Sequence, residues 1–213
     1  MKFLKAALAG SLLLLVLGFA SSAKADPVTD TNLNVTYIAT SNFVAGSGNV
    51  YDVFLTVDAT AFSAGSGYLT AVSMQFKTGS DIASSVSLLM APGGIGAWGP
   101  EIVGGVDASG CNGTGGAGGY VCFQNVSASD PVPASGKYTF EFAVTMPNSD
   151  ALTASSDIRI DFNKTLVNTN KNNLGITSMG ITIQQPTPEP ASLLLLGTGL
   201  LAMGGVIRRK LGA

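Results

Sequence analysis

Two cysteines, twelve carboxylates between the chain ends and one tryptophan are the residues of this 213-residue chain with chemistry to offer. There is no histidine. Its absence removes Ser-His-Asp and Cys-His catalysis, imidazole metal sites and histidine pH switches together. Cys111 and Cys122 are too few for a zinc centre, so neither a metal nor a cofactor is expected. Paired carboxylates remain, and a glycosidase needs two held about 5–5.5 Å or about 6.5–9.5 Å apart. Glu101 and Glu141 are the only glutamates in this stretch, and nothing in the sequence draws them together. Asp157, Arg159 and Asp161 alternate along one predicted strand, where Arg159 is expected to neutralise both acids on an outer face. No catalytic residue is assigned, and the chain is not expected to be an enzyme. Trp98 stands beside Pro100 and Glu101. An exposed tryptophan can stack on a sugar ring, which makes Trp98 a candidate glycan contact; the plainer reading is an apolar anchor that pins its loop.

The elements that must position these residues read as strands. Tyr138, Phe140, Phe142, Val144 and Met146 alternate with polar residues, the period-two pattern of a half-buried strand. Tyr51, Val53, Leu55 and Val57 alternate in the same way. So do Tyr68, Val72, Met74 and Phe76 against Ser73, Gln75 and Lys77. Ile158, Ile160 and Phe162 form a fourth run, and Met179, Ile181 and Ile183 a fifth. Weaker strands fit 33–39, 86–90 and 120–126, and no segment between the ends shows a helical period. Eight or so strands with one apolar face each must pair those faces, which predicts a single β-sandwich, Ig-like or jelly-roll-like, over residues 26–185. One loop interrupts the pattern. Twelve glycines fall within the 27 residues 93–119, around Trp98 and Cys111. Glycine raises the entropy cost of ordering such a loop.

The two ends read as addresses. Met1-Lys2-Phe3-Leu4-Lys5 precedes an apolar run over 6–20 and an Ala23-Lys24-Ala25 site, the layout of a signal peptide over residues 1–25. The alternative is a plain membrane anchor, which the small residues at both cleavage positions disfavour. At the other end, Pro188-Glu189-Pro190 leads into an apolar run over 191–207 and then Arg208-Arg209-Lys210. Seventeen residues at ~1.5 Å each give about 25 Å of transmembrane helix, a little short of a ~30 Å hydrocarbon core. Snorkelling of the three cations, which act as the stop-transfer signal, covers the difference. A buried core helix is the other reading, but the run lacks a polar face beyond Ser192 and Thr198.

In an exported chain the only two cysteines are expected to form an intramolecular disulfide, Cys111 to Cys122; an intermolecular bridge or two free thiols are the alternatives. Closing so short a loop stabilises by somewhat under ~3 kcal/mol. Residues 26–187 carry five basic and twelve acidic side chains, a net charge of −7 that the whole-chain value of −2 conceals. Such a surface repels phosphate, so no nucleic-acid partner is expected. Sequons at Asn34, Asn112, Asn125 and Asn163 read as chance occurrences in a chain rich in Asn, Ser and Thr.

The tail, residues 186–213, resembles a PEP-CTERM sorting signal in its Pro-Glu-Pro motif, apolar helix and basic end. The resemblance implies a Gram-negative host. It also implies a partner, an exosortase-type membrane protease that reads Pro188, Glu189 and Pro190. The two prolines keep the backbone around Glu189 extended, the form a protease groove binds. The precursor is then tethered in the inner membrane, and its product goes to the cell surface or an extracellular matrix, in association with exopolysaccharide or biofilm. The expected role is a non-enzymatic surface or matrix protein. The alternative is a carbohydrate-binding or adhesion module that uses the glycine-rich loop around Trp98 to hold extracellular polysaccharide.

Overall fold

Phe140, Phe142 and Val144 alternate with Glu141, Ala143 and Thr145, and an extended backbone sends the two sets to opposite faces. In the computed structural model the first set is buried and the second half-exposed along β12 (Lys137–Thr145). The structure describes residues 26–78, 81–112, 119–148, 152, 155–166 and 171–183. The expected signal peptide and the tail with its helix over 191–207 lie outside the described residues. Among the described residues no helix is long and apolar enough to cross a membrane.

The strands belong to one compact unit, Lys24–Gln185, and build two five-stranded sheets. The first runs β1 (Val28–Asp30), β2 (Val35–Phe43), β3 (Val50–Asp58), β12, β7 (Ser85–Met90). The second runs β14 (Asn173–Thr182), β13 (Ser155–Asn163), β4 (Tyr68–Gln75), β11 (Tyr120–Gln124), β8 (Ile102–Val103). Every pairing is antiparallel. Two short hairpins complete the set: β5 (Lys77–Thr78) with β6 (Asp81–Ile82), and β9 (Val106–Asp107) with β10 (Gly110–Cys111). The expected sandwich is therefore present, with each of the eight predicted runs on a strand.

Its core lies between the sheets. Tyr37, Leu55, Phe140 and Phe142 come from the first sheet and Met74, Ile158, Ile160 and Phe162 from the second, each at most 1% exposed. Burial of each such side chain contributes about 1.5–3 kcal/mol. Phe142 is the aromatic hinge of this layer. Its ring meets Phe76 edge-on at 5.6 Å, Phe123 at 5.8 Å and Phe140 stacked at 6.2 Å. Tyr37 reaches across the core and donates its hydroxyl to Thr177 Oγ1 of β14 at 2.7 Å, while Thr177 Oγ1 accepts from the Ile160 amide at 3.2 Å. Burial drives the Tyr37 hydroxyl pKa far up, so this link stays protonated.

The register of β4 against β13 shifts between Asp161 and Phe162, pairing Asp161 with Ala71 but Phe162 with Leu69. Thr70 is the extra residue of this bulge. A bulge re-aims a side chain without breaking the strand, and here it turns the Thr70 hydroxyl toward Asp161. The outer face of β4 departs from expectation. Ser73 and Gln75 are buried at 1% and 7% exposure where solvent-facing residues were predicted, because a further layer covers them.

Removing the ring at the centre of the aromatic layer, Phe142→Ala, is expected to destabilise the domain by about 3–5 kcal/mol. Urea unfolding followed by circular dichroism measures it; Phe142→Leu should cost much less.

Candidate functional site

The further layer is the glycine-rich segment itself. It turns through a short 3-10 helix, Ile95–Ala97, then runs beside β11. Gly99 N donates to Gln124 O, Val126 N to Ala97 O and Gly104 N to Tyr120 O, all at 2.8–2.9 Å. Trp98 forms a bridge to Asn125 on this path. Its indole Nε1 donates to Pro92 O at 2.9 Å, and its ring packs edge-on to Phe140 at 5.1 Å. Only 5% of Trp98 is exposed. A sugar cannot stack on a face already covered by the core, so Trp98 is the anchor of the segment and not a glycan contact. The burial removes the basis for a carbohydrate module built on Trp98.

Beyond Trp98 the chain folds over the outer face of the second sheet. Asp107-Ala108-Ser109-Gly110 closes the β9–β10 hairpin, with Ser109 N donating to Asp107 Oδ1 at 2.7 Å and Gly110 at φ 91°. That φ suits glycine, which carries no Cβ to clash. The hairpin is fastened by the expected disulfide, Cys111–Cys122, whose Cα atoms stand 5.7 Å apart. Val106, Ile102 and Cys111 pack on Ala71, Cys122 and Ile176, a second apolar cluster separate from the main core.

Under this strap lies the arrangement that periodicity did not foresee. Arg159 pairs with Asp157 at 3.3 Å, and its guanidinium sits 4.8 Å from the Tyr120 ring centroid. The Tyr120 hydroxyl donates to Asp157 Oδ2. Arg159 does not neutralise Asp161 as well: no ion pair of Asp161 is present among the described residues. Asp161 is fully buried. Its carboxyl is met by neutral donors, Thr70 Oγ1 at 3.1 Å and Asn163 Nδ2 at 2.5 Å on Oδ2, and Asn173 Nδ2 on Oδ1. Burial penalises the charged form more than these hydrogen bonds favour it, and the nearby Asp107 carboxylate adds repulsion. The pKa is pushed from 3.8 up to about 6. The signal for this cluster was present in composition, as Thr70, Asn163 and Asn173, but only the bulge brings it together.

This geometry suits structure better than chemistry. Asp161 has no surface open to a substrate, and Asp157 is already bound by Arg159 and Tyr120. Glu141 lies on the outer face of β12 opposite Phe54 and Met90, while Glu101 borders a groove beside β7. Asn125 and Asn163, two of the four sequon asparagines, are buried at 2% and 0% exposure. Among the described residues no group of three or more Cys, Asp or Glu side chains is placed to hold a metal ion. The sorting residues Pro188, Glu189 and Pro190, and Arg208, Arg209 and Lys210, lie outside the described residues.

A carboxyl with a raised pKa in the fold makes stability fall as pH rises, because between the two pKa values the folded state holds more protons than the unfolded one. Stability is expected to be fullest below pH 4 as far as Asp161 is concerned, to decline toward pH 6 by about 2–3 kcal/mol and then to level. Asp58 and Asp130 act in the opposite sense, below pH 4, since hydroxyl donors from Thr60 and Ser129 hold their carboxyls low. Urea midpoints from pH 4 to 7 test this. Asp161→Asn should lower stability yet abolish the decline; an unchanged slope would assign the effect elsewhere.

Comparison with known proteins adds two findings. Solved structures with some similarity to this chain include a cohesin module from a Clostridium perfringens family 33 glycoside hydrolase, at 9% identity and TM-score 0.35, covering 71% of this chain and 96% of that one. A collagen-binding domain from a Staphylococcus aureus adhesin matches at 10% identity and TM-score 0.33, covering 70% and 96%. The major subunit of aggregative adherence fimbriae type I from Escherichia coli matches at 10% identity and TM-score 0.30, covering 78% and 98%. No curated protein sequence matches the chain. The second finding is specific to the tail: residues 186–210 match the family model of the PEP-CTERM protein-sorting motif, so the chain carries that motif immediately after its β-sandwich.

Proposed function

We propose that this protein is an exported, non-enzymatic β-sandwich delivered by an exosortase-type membrane protease to the cell surface or extracellular matrix of a Gram-negative bacterium. The observation that carries the reading is the PEP-CTERM match at residues 186–210. In this reading residues 1–25 direct export and are removed before Asp26. The helix over 191–207 then holds the precursor in the inner membrane, with Arg208, Arg209 and Lys210 on the cytoplasmic side. Pro188, Glu189 and Pro190 present an extended segment to the protease, which separates the sandwich from its tether. The destination is a matrix rich in exopolysaccharide or biofilm polymer. The absence of an enzymatic role is supported by the state of the acids: Asp161 is buried and Asp157 is committed to Arg159 and Tyr120.

The recognition element and the membrane anchor are separable. Glu189→Ala leaves the apolar run and its cations intact, so export should proceed while the full-length chain accumulates in the inner membrane. Deleting 208–210 should weaken the stop instead, since a 17-residue run is barely long enough to hold a membrane at ~1.5 Å per residue. Fractionation of the native host with an antibody to the sandwich reads both. Equal surface release of wild type and Glu189→Ala would leave residues 191–207 as an ordinary anchor and end the sorting assignment.

A further inference from the structure

The four edges of the two sheets are not equally protected. An open edge strand offers unpaired N–H and C=O groups to any other extended chain, and proteins blunt such edges with short strands, charges or proline. β1 is three residues long and ends in Asp30. β8 is two residues long, and Pro100, which has no N–H, stands just before it. β14 runs past β1 and β2 of the opposite sheet, where the sandwich closes. β7 is six residues long and carries no charge, and its nearest proline, Pro92, lies past its end. It reads Ser85-Val86-Ser87-Leu88-Leu89-Met90, and among the described residues it pairs on one side only, with β12.

Beside β7 is a groove of about 410 Å³ whose lining includes Val86, Leu88, Ile95, Phe123 and Glu101. Leu89, Met90 and Ile95 add exposed apolar surface nearby, at 46%, 41% and 55%. Glu101 is the single charged group of the lining. No lysine or arginine among the described residues pairs with it. Partial burial holds its carboxyl above the ordinary value, as expected of an acid that lacks a cation.

We propose that the β7 edge takes up an extended, alternately apolar and basic segment of a partner protein as a sixth strand of the first sheet, with a lysine or arginine of that segment reaching Glu101. Main-chain hydrogen bonds along an edge give affinity, and pockets for alternate side chains give selectivity. Alternation places the basic set of the added strand toward the groove that holds Glu101 and the apolar set on the other face, beside the exposed Leu89 and Met90. Charge selects the partner. With a net charge of −7 over residues 26–187, the domain attracts a cationic segment and repels a second copy of itself. This surface is independent of the sorting of the tail.

The test uses the full-length chain in nanodiscs of zwitterionic lipid, so that the membrane itself does not capture a basic probe. The probes are two capped, dye-labelled octapeptides, one alternating Lys and Val and the other Glu and Val, titrated by fluorescence anisotropy. The Lys-Val peptide should bind and the Glu-Val peptide should not. Amide hydrogen exchange across 85–90 should slow in the complex, which identifies strand addition rather than loose charge attraction. Replacing the exposed Glu101 should weaken binding of the Lys-Val peptide about threefold for Glu101→Gln and further for Glu101→Lys, in keeping with a rim ion pair. Equal binding of both peptides, no protection at 85–90, or affinity unchanged in both Glu101 variants would overturn the proposal. So would concentration-dependent self-association of the chain that protects the same amides, since the edge would then serve a second copy.

Discussion

A glycine-rich strap has little reason to stay on a sheet. Each ordered residue costs about 1–2 kcal/mol of backbone entropy, and glycine costs the most. Few side chains of the strap are apolar enough to offset this, chiefly Ile102 and Val106. The Cys111–Cys122 bond fastens the end of the strap to β11, and by closing the chain between the two cysteines it lowers the entropy of the unfolded state, a gain of somewhat under ~3 kcal/mol. The outer face of the second sheet depends on it in turn. With the strap in place, Ala71, Ser73 and Asp161 are enclosed; without it, they would face water. A protein folded outside the reducing cytoplasm can rely on such a bond.

Enclosing Asp161 has an electrostatic consequence. A carboxylate surrounded by amides and a hydroxyl, with no cation opposite, is stabilised by hydrogen bonds alone. Those bonds also fix geometry: Thr70 belongs to the bulge of β4, Asn163 to the end of β13 and Asn173 to the start of β14. Three strands are thus pinned to one side chain. The raised pKa is the cost of that pin, and it is smaller in mildly acidic surroundings, where the acid is neutral and can itself donate.

Legibility followed burial. Where one face of a strand meets the core and the other meets water, the alternation is clear, and the runs at 51–57 and 138–146 could be read directly from their side chains. β4 is half legible: its inner face obeys the pattern, whereas Ser73 and Gln75 look solvent-facing and are covered. No local signal announces a cover supplied by residues thirty positions later. The strap was read as a loop because its glycines mask three short strands, β8, β9 and β10, each only two residues long. Trp98 was readable as the anchor of its loop. Its neighbours Gly99, Pro100 and Glu101 suggest exposure, yet a ring of that size gains more by closing over Phe140 and donating its N–H to Pro92 O. Asp161 was placed on the correct face, but with the wrong partner, since Arg159 is drawn to Asp157 and Tyr120 on the side away from the bulge.

The distribution of charge ties these parts together. Six of the eleven cations belong to the two terminal segments, so their removal leaves a strongly acidic domain. That acidity contributes little to the stability of the fold. The Lys137–Asp58 pair is largely exposed at 3.7 Å, and such surface pairs are worth at most about 1 kcal/mol. Its effect is between molecules. Like charge keeps copies of an exported sandwich apart even though β7 presents a bare edge, which is the protection that edge otherwise lacks. The same field leaves the edge open to a cationic chain. Net charge, rather than a proline or a bulky cover, therefore decides which strands can approach β7.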